Sequence, residues 1–385
     1  MRVCSLFSGI GGFEVGLERA GFEVVLACDN DPAAIAVLKK RFPDVPVRRD
    51  IEKIQSLPRC DLLTAGWPCQ DLSQAGAVAG HNGARSGLVR NVFRLIAKAK
   101  KKPAFVLLEN VAFSLHLHKG SAIREVTNSL EALGYNWAFR VLDTQYFGLP
   151  QRRRRIFILG ALEADPRSIL FDGPAEGRDF SETTRIGFYW TEGNRGIGWT
   201  PDAVPPLKGG SAFSIPSPPA VWDKASRSFF SPGIQDAERL QGFRRGWTSP
   251  VEDVGLPDRV RWRLVGNAVS VPIAHWIGRR LLVDRERGSL DFALPKAQRG
   301  KRPNFGWGGP KQIASQILLP SEGPSKPTFK SIADFKFNEA KELSKRAAAG
   351  FLSRLVESPL RVDKAFLRDL ASHCDRLDLI EDRAA

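Results

Sequence analysis

The sequence predicts a doubly wound, mainly parallel α/β sheet with a smaller loop-rich domain and a C-terminal helical extension. Three observations lead there. Short apolar runs alternate with helical periodicity over residues 1–160. A stretch rich in Gly, Pro, Trp and Ser, without sustained period, follows from about Glu163 to Pro232. Apolar periodicity then returns in DAERLQGF and LVGNAVSVPIAHWIGRRLL, and again around Ser331–Leu379. With 385 residues, 43% of them hydrophobic, the chain has room for two or three domains and a sizeable core.

The runs RVCSLF, VVLAC, LLTAG, FVLLEN and RIFILG are short, apolar and bounded by turn residues, as buried strands of a parallel sheet are. Helices fit between them. AAIAVLKKRF is one; a second places Val89, Val92, Phe93, Ile96 and Ala97 on one face, and a third Ile123, Val126, Leu130 and Leu133. These stripes are core positions. The segment WTEGNRGIGWTPDAVPPLKGGSAFSIPSPPAVW reads as the loop-rich domain, and LVGNAVSVPIAHWIGRRLL as a helix packing back on the first. After Gly288 a Pro, Gly and Lys-rich connector leads to the helical tail. The expected domains are therefore 1–160 plus 260–288, 161–259, and 289–385.

A net charge of +15 attracts phosphate polyanions and gains affinity through counterion release, which puts nucleic acid first among expected partners. The plainer alternative is a basic enzyme whose charge only aids solubility. The five cysteines (Cys4, Cys28, Cys60, Cys69 and Cys374) are sparse and sit mostly in apolar stretches, which suits reduced thiols and a cytoplasmic location. The N-terminal apolar run is too short for a signal peptide, and no uninterrupted apolar segment reaches about 18 residues, so no membrane partner is expected. No other cysteine lies within three residues of Cys69, so neither a CxxC redox pair nor a zinc knuckle can form there, and no metal is expected.

The first predicted strand runs into FSGIGGFEVGL, where Gly9, Gly11 and Gly12 allow a tight strand-to-helix turn and close approach of a ligand. Asp29, at the end of the next strand, is placed to hold ribose hydroxyls, and Asp50 to reach an adenine amino group. A nicotinamide dinucleotide would require the fuller GxGxxG, and Glu14 is a poor neighbour for a pyrophosphate, so the loop favours a cofactor without phosphates. Cys69, in AGWPCQDLS, follows the strand LLTAG at the sheet edge where such folds place reactive groups; it is either a nucleophile or a buried structural thiol. Glu109 ends FVLLEN at the same edge, as a proton donor or a solvated strand-end carboxylate. In QRRRRIFILG, Arg155 adjoins the apolar run and is expected to point into a site, while Arg152 and Arg153 meet phosphates. Lys98, Lys100, Lys101 and Lys102 complement a helix C-terminus.

In their order and spacing after FSGIGG, the segments GWPCQDLS, Glu109-Asn110-Val111, GLPQRRRR, RLQGF and GNAVSVP resemble the ordered motifs of DNA cytosine-5 methyltransferases. The resemblance covers about 1–285, with a gap at 161–235 where the family keeps its variable target-recognition domain. It implies a Rossmann-like methyltransferase sheet, duplex DNA as substrate and S-adenosylmethionine as cofactor. The residues implied to hold that cofactor are Phe7, Gly9, Ile10, Gly11, Asp29, Asn30, Asp50, Ile51, Pro68, Leu88, Asn267 and Val269. It gives Cys69, Glu109 and Arg155 catalytic roles, adds Arg153 as a second arginine of the site, and makes Gln70, Ser73, Gln151 and Arg152 DNA contacts. A monomer, paired with a cognate restriction or defence system, is the expected setting. The alternatives are an RNA cytosine-5 methyltransferase with the same catalytic plan and a non-catalytic regulator that binds DNA on this fold.

Overall fold

The structure, a computed structural model, describes residues 1–67, 88–116, 120–173, 178–180, 182–192, 196–208, 218–283 and 303–384. The chain divides into two compact units. The first comprises residues 1–147, 154–177 and 268–327; the second comprises 148–153, 178–267 and 328–385.

The first unit is built on a nine-stranded sheet. Its strands are β1 (Arg2–Leu6), β2 (Glu23–Cys28), β3 (Val47–Arg48), β4 (Leu62–Gly66), β5 (Phe105–Val111), β6 (Asn136–Asp143) and β7 (Arg154–Ala161), with a hairpin that comes much later in the chain. In space the order is hairpin, β6, β7, β5, β4, β1, β2, β3. Strands β1 to β5 pair in parallel, and β7 runs antiparallel to both β5 and β6. Side chains alternate between the faces, and both faces are covered. Val3, Leu62, Leu107 and Phe157 pack with Phe13 and Leu17 of α1 (Gly12–Arg19). Cys4, Leu63, Val106 and Ile158 lie in the opposite layer with residues 88–98 and 121–132, helices α3 and α4; α2 is Pro32–Arg41. Within α3 the buried stripe is Val89, Val92, Leu95 and Ile96, so it turns away from the expected Ala97, which is exposed, toward Leu95.

The two-sided sheet has a topological switch between β1 and β4, since the chain goes from β1 to β2 on one side and returns to β4 on the other. Open α/β sheets bind ligands outside the carboxyl ends of the strands at such a point.

The second unit holds an antiparallel sheet of β8 (Arg185–Phe188), β9 (Thr200–Pro201), β10 (Ala220–Asp223), β11 (Ser228–Ser231) and a short strand at Lys341–Glu342, which pairs with β11. Helices Lys345–Val356 and Lys364–Ala384 supply much of its core. Phe351 and Phe366 are fully buried with Phe188, Trp222 and Phe229, and Trp222 Nε1 donates to Asp369 Oδ2 at 3.2 Å. The expected single tail at 289–385 is thus divided between the two units. The hairpin Phe305–Gly309 and Gln312–Ile317 extends the central sheet by antiparallel pairing with β6. Its glycines are what composition alone reads as a connector. A Cβ at Gly306 would lie 2.4 Å from the Phe139 ring, and one at Gly308 2.6 Å from the Trp137 ring, so these glycines let two aromatic side chains of β6 lie against the strand.

No helix among the described residues is long and apolar enough to cross a membrane.

Candidate active site

At the carboxyl end of β1 the backbone turns sharply. Phe7 (φ 54°), Gly9 (φ 56°) and Gly11 (φ 90°) are all left-handed, a conformation that glycine adopts freely and phenylalanine only with strain. A Cβ on Gly9 would meet nothing within 4 Å, so the loop leaves open space on that side. Asp29 braces it from β2. Its Oδ2 accepts from the Gly9 N–H at 2.8 Å and its Oδ1 from the Asp31 N–H at 2.9 Å. Burial raises its carboxyl pKa against the lowering effect of those donors. Two oxygens offer about four acceptor sites, so Asp29 keeps capacity for ribose hydroxyls.

Behind the loop, α1 is pressed against the returning segment of the chain. A Cβ on Gly12 would lie 2.4 Å from the Val269 carbonyl oxygen, and one on Gly16 2.6 Å from that of Val271. Only glycine permits this approach, which brings Val269 of GNAVSVP beside the FSGIGG turn. Asn267, by contrast, is exposed and belongs to the second unit.

The segment carrying Asp50 and Ile51 is held by a side chain with no motif of its own in the sequence. Arg94 of α3 donates from Nη2 to the Ile51 carbonyl at 3.0 Å and from Nη1 to that of Ile54 at 3.2 Å. Ile51 is buried, and Asp50 Oδ1 accepts from the Glu52 N–H at 2.9 Å. Asn30 is exposed, Ile10 is fully buried, and Leu88 opens α3 half-buried. An arginine beside a helix's apolar stripe looks like any solvated charge, so periodicity offered no signal for Arg94.

Glu109 is buried at the end of β5. Arg155, on β7, places its Nε 3.0 Å from Glu109 Oε1 and donates from Nη1 to the Arg154 carbonyl at 2.9 Å. A methyl group placed on Gly66 would stand 3.5 Å from Glu109 Oε2, 3.6 Å from Val269 Cγ2 and 3.9 Å from the Phe7 carbonyl. The end of β4 is therefore the point at which the glycine turn, the buried carboxylate and the GNAV segment meet. Asn110 fixes this point by donating from Nδ2 to the Trp67 carbonyl at 3.1 Å, which ties the exit of β4 to the strand that carries Glu109. Its Oδ1 accepts from the Val111 N–H at 2.7 Å. Nothing in the spacing of Glu109-Asn110-Val111 signals this task for Asn110. Pro68, Cys69, Gln70 and Ser73, which follow Trp67 directly, lie outside the described residues.

The QRRRR tract crosses the boundary between the units. Arg154 and Arg155 belong to the first; Gln151, Arg152 and Arg153 belong to the second. Arg152 is exposed, Arg153 is fully buried, and Arg154 pairs with Glu322. Gln151 departs from its expected role as a DNA contact. It is fully buried, and its Nε2 donates to the Leu240 carbonyl at 2.8 Å, next to the bond from Gln241 Nε2 to the Val265 carbonyl at 2.9 Å. This glutamine ties the tract to RLQGF inside the second unit, and nucleic acid cannot reach it in this conformation.

The family model "C-5 cytosine-specific DNA methylase" matches residues 1–186. The chain is 43% identical to the Type II methyltransferase M2.BsuMI of Bacillus subtilis (strain 168), over 92% of this chain and 93% of that protein. It is 36% identical to the Type II methyltransferase M.NgoBV of Neisseria gonorrhoeae, over 43% of this chain and 42% of that one. Among solved structures, the fold is similar to that of the S. pombe Dnmt2 methyltransferase, with a TM-score of 0.56 and 19% identity, covering 73% of this chain and 98% of the other. With the ordered motifs and near full-length similarity to a Type II methyltransferase, the chain belongs to the C-5 cytosine-specific DNA methylase family.

Proposed function

We propose that this protein transfers a methyl group from S-adenosylmethionine to carbon 5 of a cytosine in a specific sequence of duplex DNA, through a transient covalent bond between Cys69 and carbon 6. The observation that carries this reading is the meeting of Phe7, Glu109 and Val269 around Gly66, three residues before Cys69 in sequence.

The residues present fit the cofactor. The left-handed turn at Phe7–Gly11 leaves open space at Gly9, Asp29 has acceptor capacity for a ribose, and Asp50 with Ile51 sits on a segment pinned by Arg94. When bound, S-adenosylmethionine supplies an electrophilic methyl group on a positively charged sulfur.

Carbon 5 of cytosine is a poor nucleophile, and the chain's own residues correct that. The Cys69 thiolate adds to carbon 6 while Glu109 hydrogen-bonds or protonates N3, so the ring electrons collect at carbon 5. Arg155 orients Glu109 and presents guanidinium N–H groups for the ring O2 as charge develops there. Once carbon 5 carries the methyl group, loss of its proton restores the double bond between carbons 5 and 6 and expels the thiolate. The target atoms cannot be reached within a duplex, so the base must leave the stack, at a cost of a few kcal/mol offset by contacts in the pocket. Gln70 is the candidate to enter the vacated space, and Ser73 and Arg152 to contact the strand.

Residues 161–259 select the sequence, and the enzyme works as a cytoplasmic monomer beside a cognate restriction or defence system. Base-resolved methylation mapping of DNA from cells that express the protein tests the reading. Carbon-5 methylation at one recurring sequence is the expected result; adenine or cytosine N4 methylation, or none from protein that binds the cofactor, overturns it.

A further inference from the structure

Glu14 is a buried acid that the reaction scheme does not use. It lies in the first turn of α1, directly behind the glycine loop, and is 1% exposed. Among the described residues neither of its carboxylate oxygens meets hydrogen-bond geometry, although the Ser5 and Ser8 hydroxyls lie close enough to temper its charge. The Ser8 hydroxyl beside it is already spent, donating to the Ser5 carbonyl at 3.3 Å and accepting from the Cys28 N–H at 3.2 Å. The Ser5 and Thr64 hydroxyls, on adjacent strands of the same face, are also buried without partners among the described residues. Buried polar groups are nearly always satisfied, and an isolated buried carboxylate is among the costliest exceptions. Such a group needs a reason to be there.

We infer that Glu14 is a positioning residue for the cofactor, whose buried negative charge favours the sulfonium form, S-adenosylmethionine, over its uncharged thioether product. The inference rests on the cofactor reading given above. Charge is the difference between the two ligands that a carboxylate senses, since the adenosine and amino-acid parts are shared. Behind the loop, water screens little, so a single carboxylate acts over several ångströms. Of the ionisable groups on the elements packed around α1, Cys28 and the adjoining Asp29 close β2 and Glu23 opens it, while His275, Arg279 and Arg280 lie on the helix Val271–Val283. Asp29 is held by its backbone donors while burial raises its carboxyl pKa, and its charge in turn raises that of Glu14; burial pushes the Cys28 thiol up to about 12, which leaves it neutral. Burial likewise pushes the Glu14 carboxyl up to about 7, tempered by the Ser5 and Ser8 hydroxyls, so its charge changes across the neutral range. Above that range the sulfonium ligand gains an attraction that the thioether lacks. By linkage, binding of the sulfonium ligand draws a proton off Glu14.

Calorimetry on the purified full chain tests this without any turnover. The dissociation constants of S-adenosylmethionine and S-adenosylhomocysteine are measured at about pH 6 and about pH 8 for the wild type and Glu14→Gln. In the wild type, preference for the sulfonium ligand should rise by about threefold or more with pH, and in Glu14→Gln it should stay flat. Titration in two buffers of different ionisation enthalpy should show more proton release with the sulfonium ligand in the wild type only. The α-amino group of each ligand also titrates near this range, and Glu14→Gln reports what it contributes. A wild-type preference that does not change with pH, together with equal proton release for both ligands, overturns the inference while leaving the cofactor reading intact. A pH response that survives in Glu14→Gln overturns it equally. Failure of the wild type to bind either ligand removes the cofactor reading itself. Should Glu14→Gln fold poorly, the wild-type proton release still decides.

Discussion

Arg155 Nε stands 3.0 Å from Glu109 Oε1, across neighbouring antiparallel strands in which Arg155 lies opposite Val111 and Glu109 opposite Phe157. The two residues are thus diagonal neighbours on one face, and both are largely buried. Removing one partner of such a pair leaves the other charge buried alone, so Arg155→Ala should destabilise the protein as well as slow it. Glu109→Gln keeps the shape and loses the proton, and should lower turnover by about 100-fold or more with cofactor affinity little changed. Single-turnover methylation measured beside cofactor binding separates these effects. Full activity in Glu109→Gln would remove Glu109 from the chemistry.

The strands were legible because buried parallel strands are short, continuous apolar runs, and all five expected ones are present. The placement of Glu109 and Arg155 at the ends of buried strands was legible for the same reason, since each bounds a continuous apolar run. Strand β6, NWAFRVLD, is hidden in the sequence because Arg140 breaks its apolar run. In the fold that arginine is 1% exposed, donating to the Leu170 carbonyl and pairing with Asp172. Such partners lie 30 or more residues away in sequence and leave no local pattern. The same holds for Arg94 and for Gln151, whose burial depends on the Leu240 carbonyl.

Glu14 also makes a prediction about stability. Its folded pKa of about 7 lies above the ordinary value of 4.5, so the folded state binds more protons between those values. The contribution from this group is therefore intact below about pH 4.5, falls as pH rises through 7, and is lost above. The rise from 4.5 to about 7 corresponds to about 3 kcal/mol. Without cofactor, Glu14→Gln should melt higher than the wild type at about pH 8 and nearly level with it at about pH 5. Other carboxylates titrate in both proteins and cancel in the difference. Parallel melting curves at the two pH values would show that Glu14 does not carry this charge.

Recognition should move with more of the chain than the loop-rich segment. The short strand at Lys341–Glu342 pairs with β11, and Phe351 and Phe366 fill the core of the second sheet. Exchanging only residues 178–267 with those of a relative should give a poorly folded chimera. Exchanging 178–267 together with 328–385 should give an active enzyme with a new methylated sequence. Methylation mapping decides it, and an active double exchange that keeps the original sequence would place specificity elsewhere.

Arg152 and Arg155 should differ in kind. Arg152 is exposed, so Arg152→Ala should weaken binding to all DNA and reduce the salt slope by about one if one phosphate contact is lost. Arg155→Ala should instead act mainly on turnover. Equal salt slopes for wild type and Arg152→Ala would remove Arg152 from the backbone contacts.

The covalent step gives the sharpest test, because it depends on one sulfur. If Cys69 adds to carbon 6, DNA with 5-fluorocytosine at the target should trap the enzyme, since fluorine cannot leave carbon 5 as a proton does and elimination stalls after methyl transfer. A denaturing gel should show a stable adduct that requires S-adenosylmethionine. Cys69→Ser should abolish both adduct and methylation, because a hydroxyl is far less nucleophilic than a thiolate near neutral pH, while cofactor and DNA still bind. Glu109→Gln should slow adduct formation through loss of the proton at N3. Cys4, Cys28 and Cys60 are buried in the fold, out of reach of a DNA base, so none of them competes as a nucleophile. An adduct that persists in Cys69→Ser, or that maps by mass spectrometry to Cys4, Cys28, Cys60 or Cys374, would show that another cysteine does the chemistry.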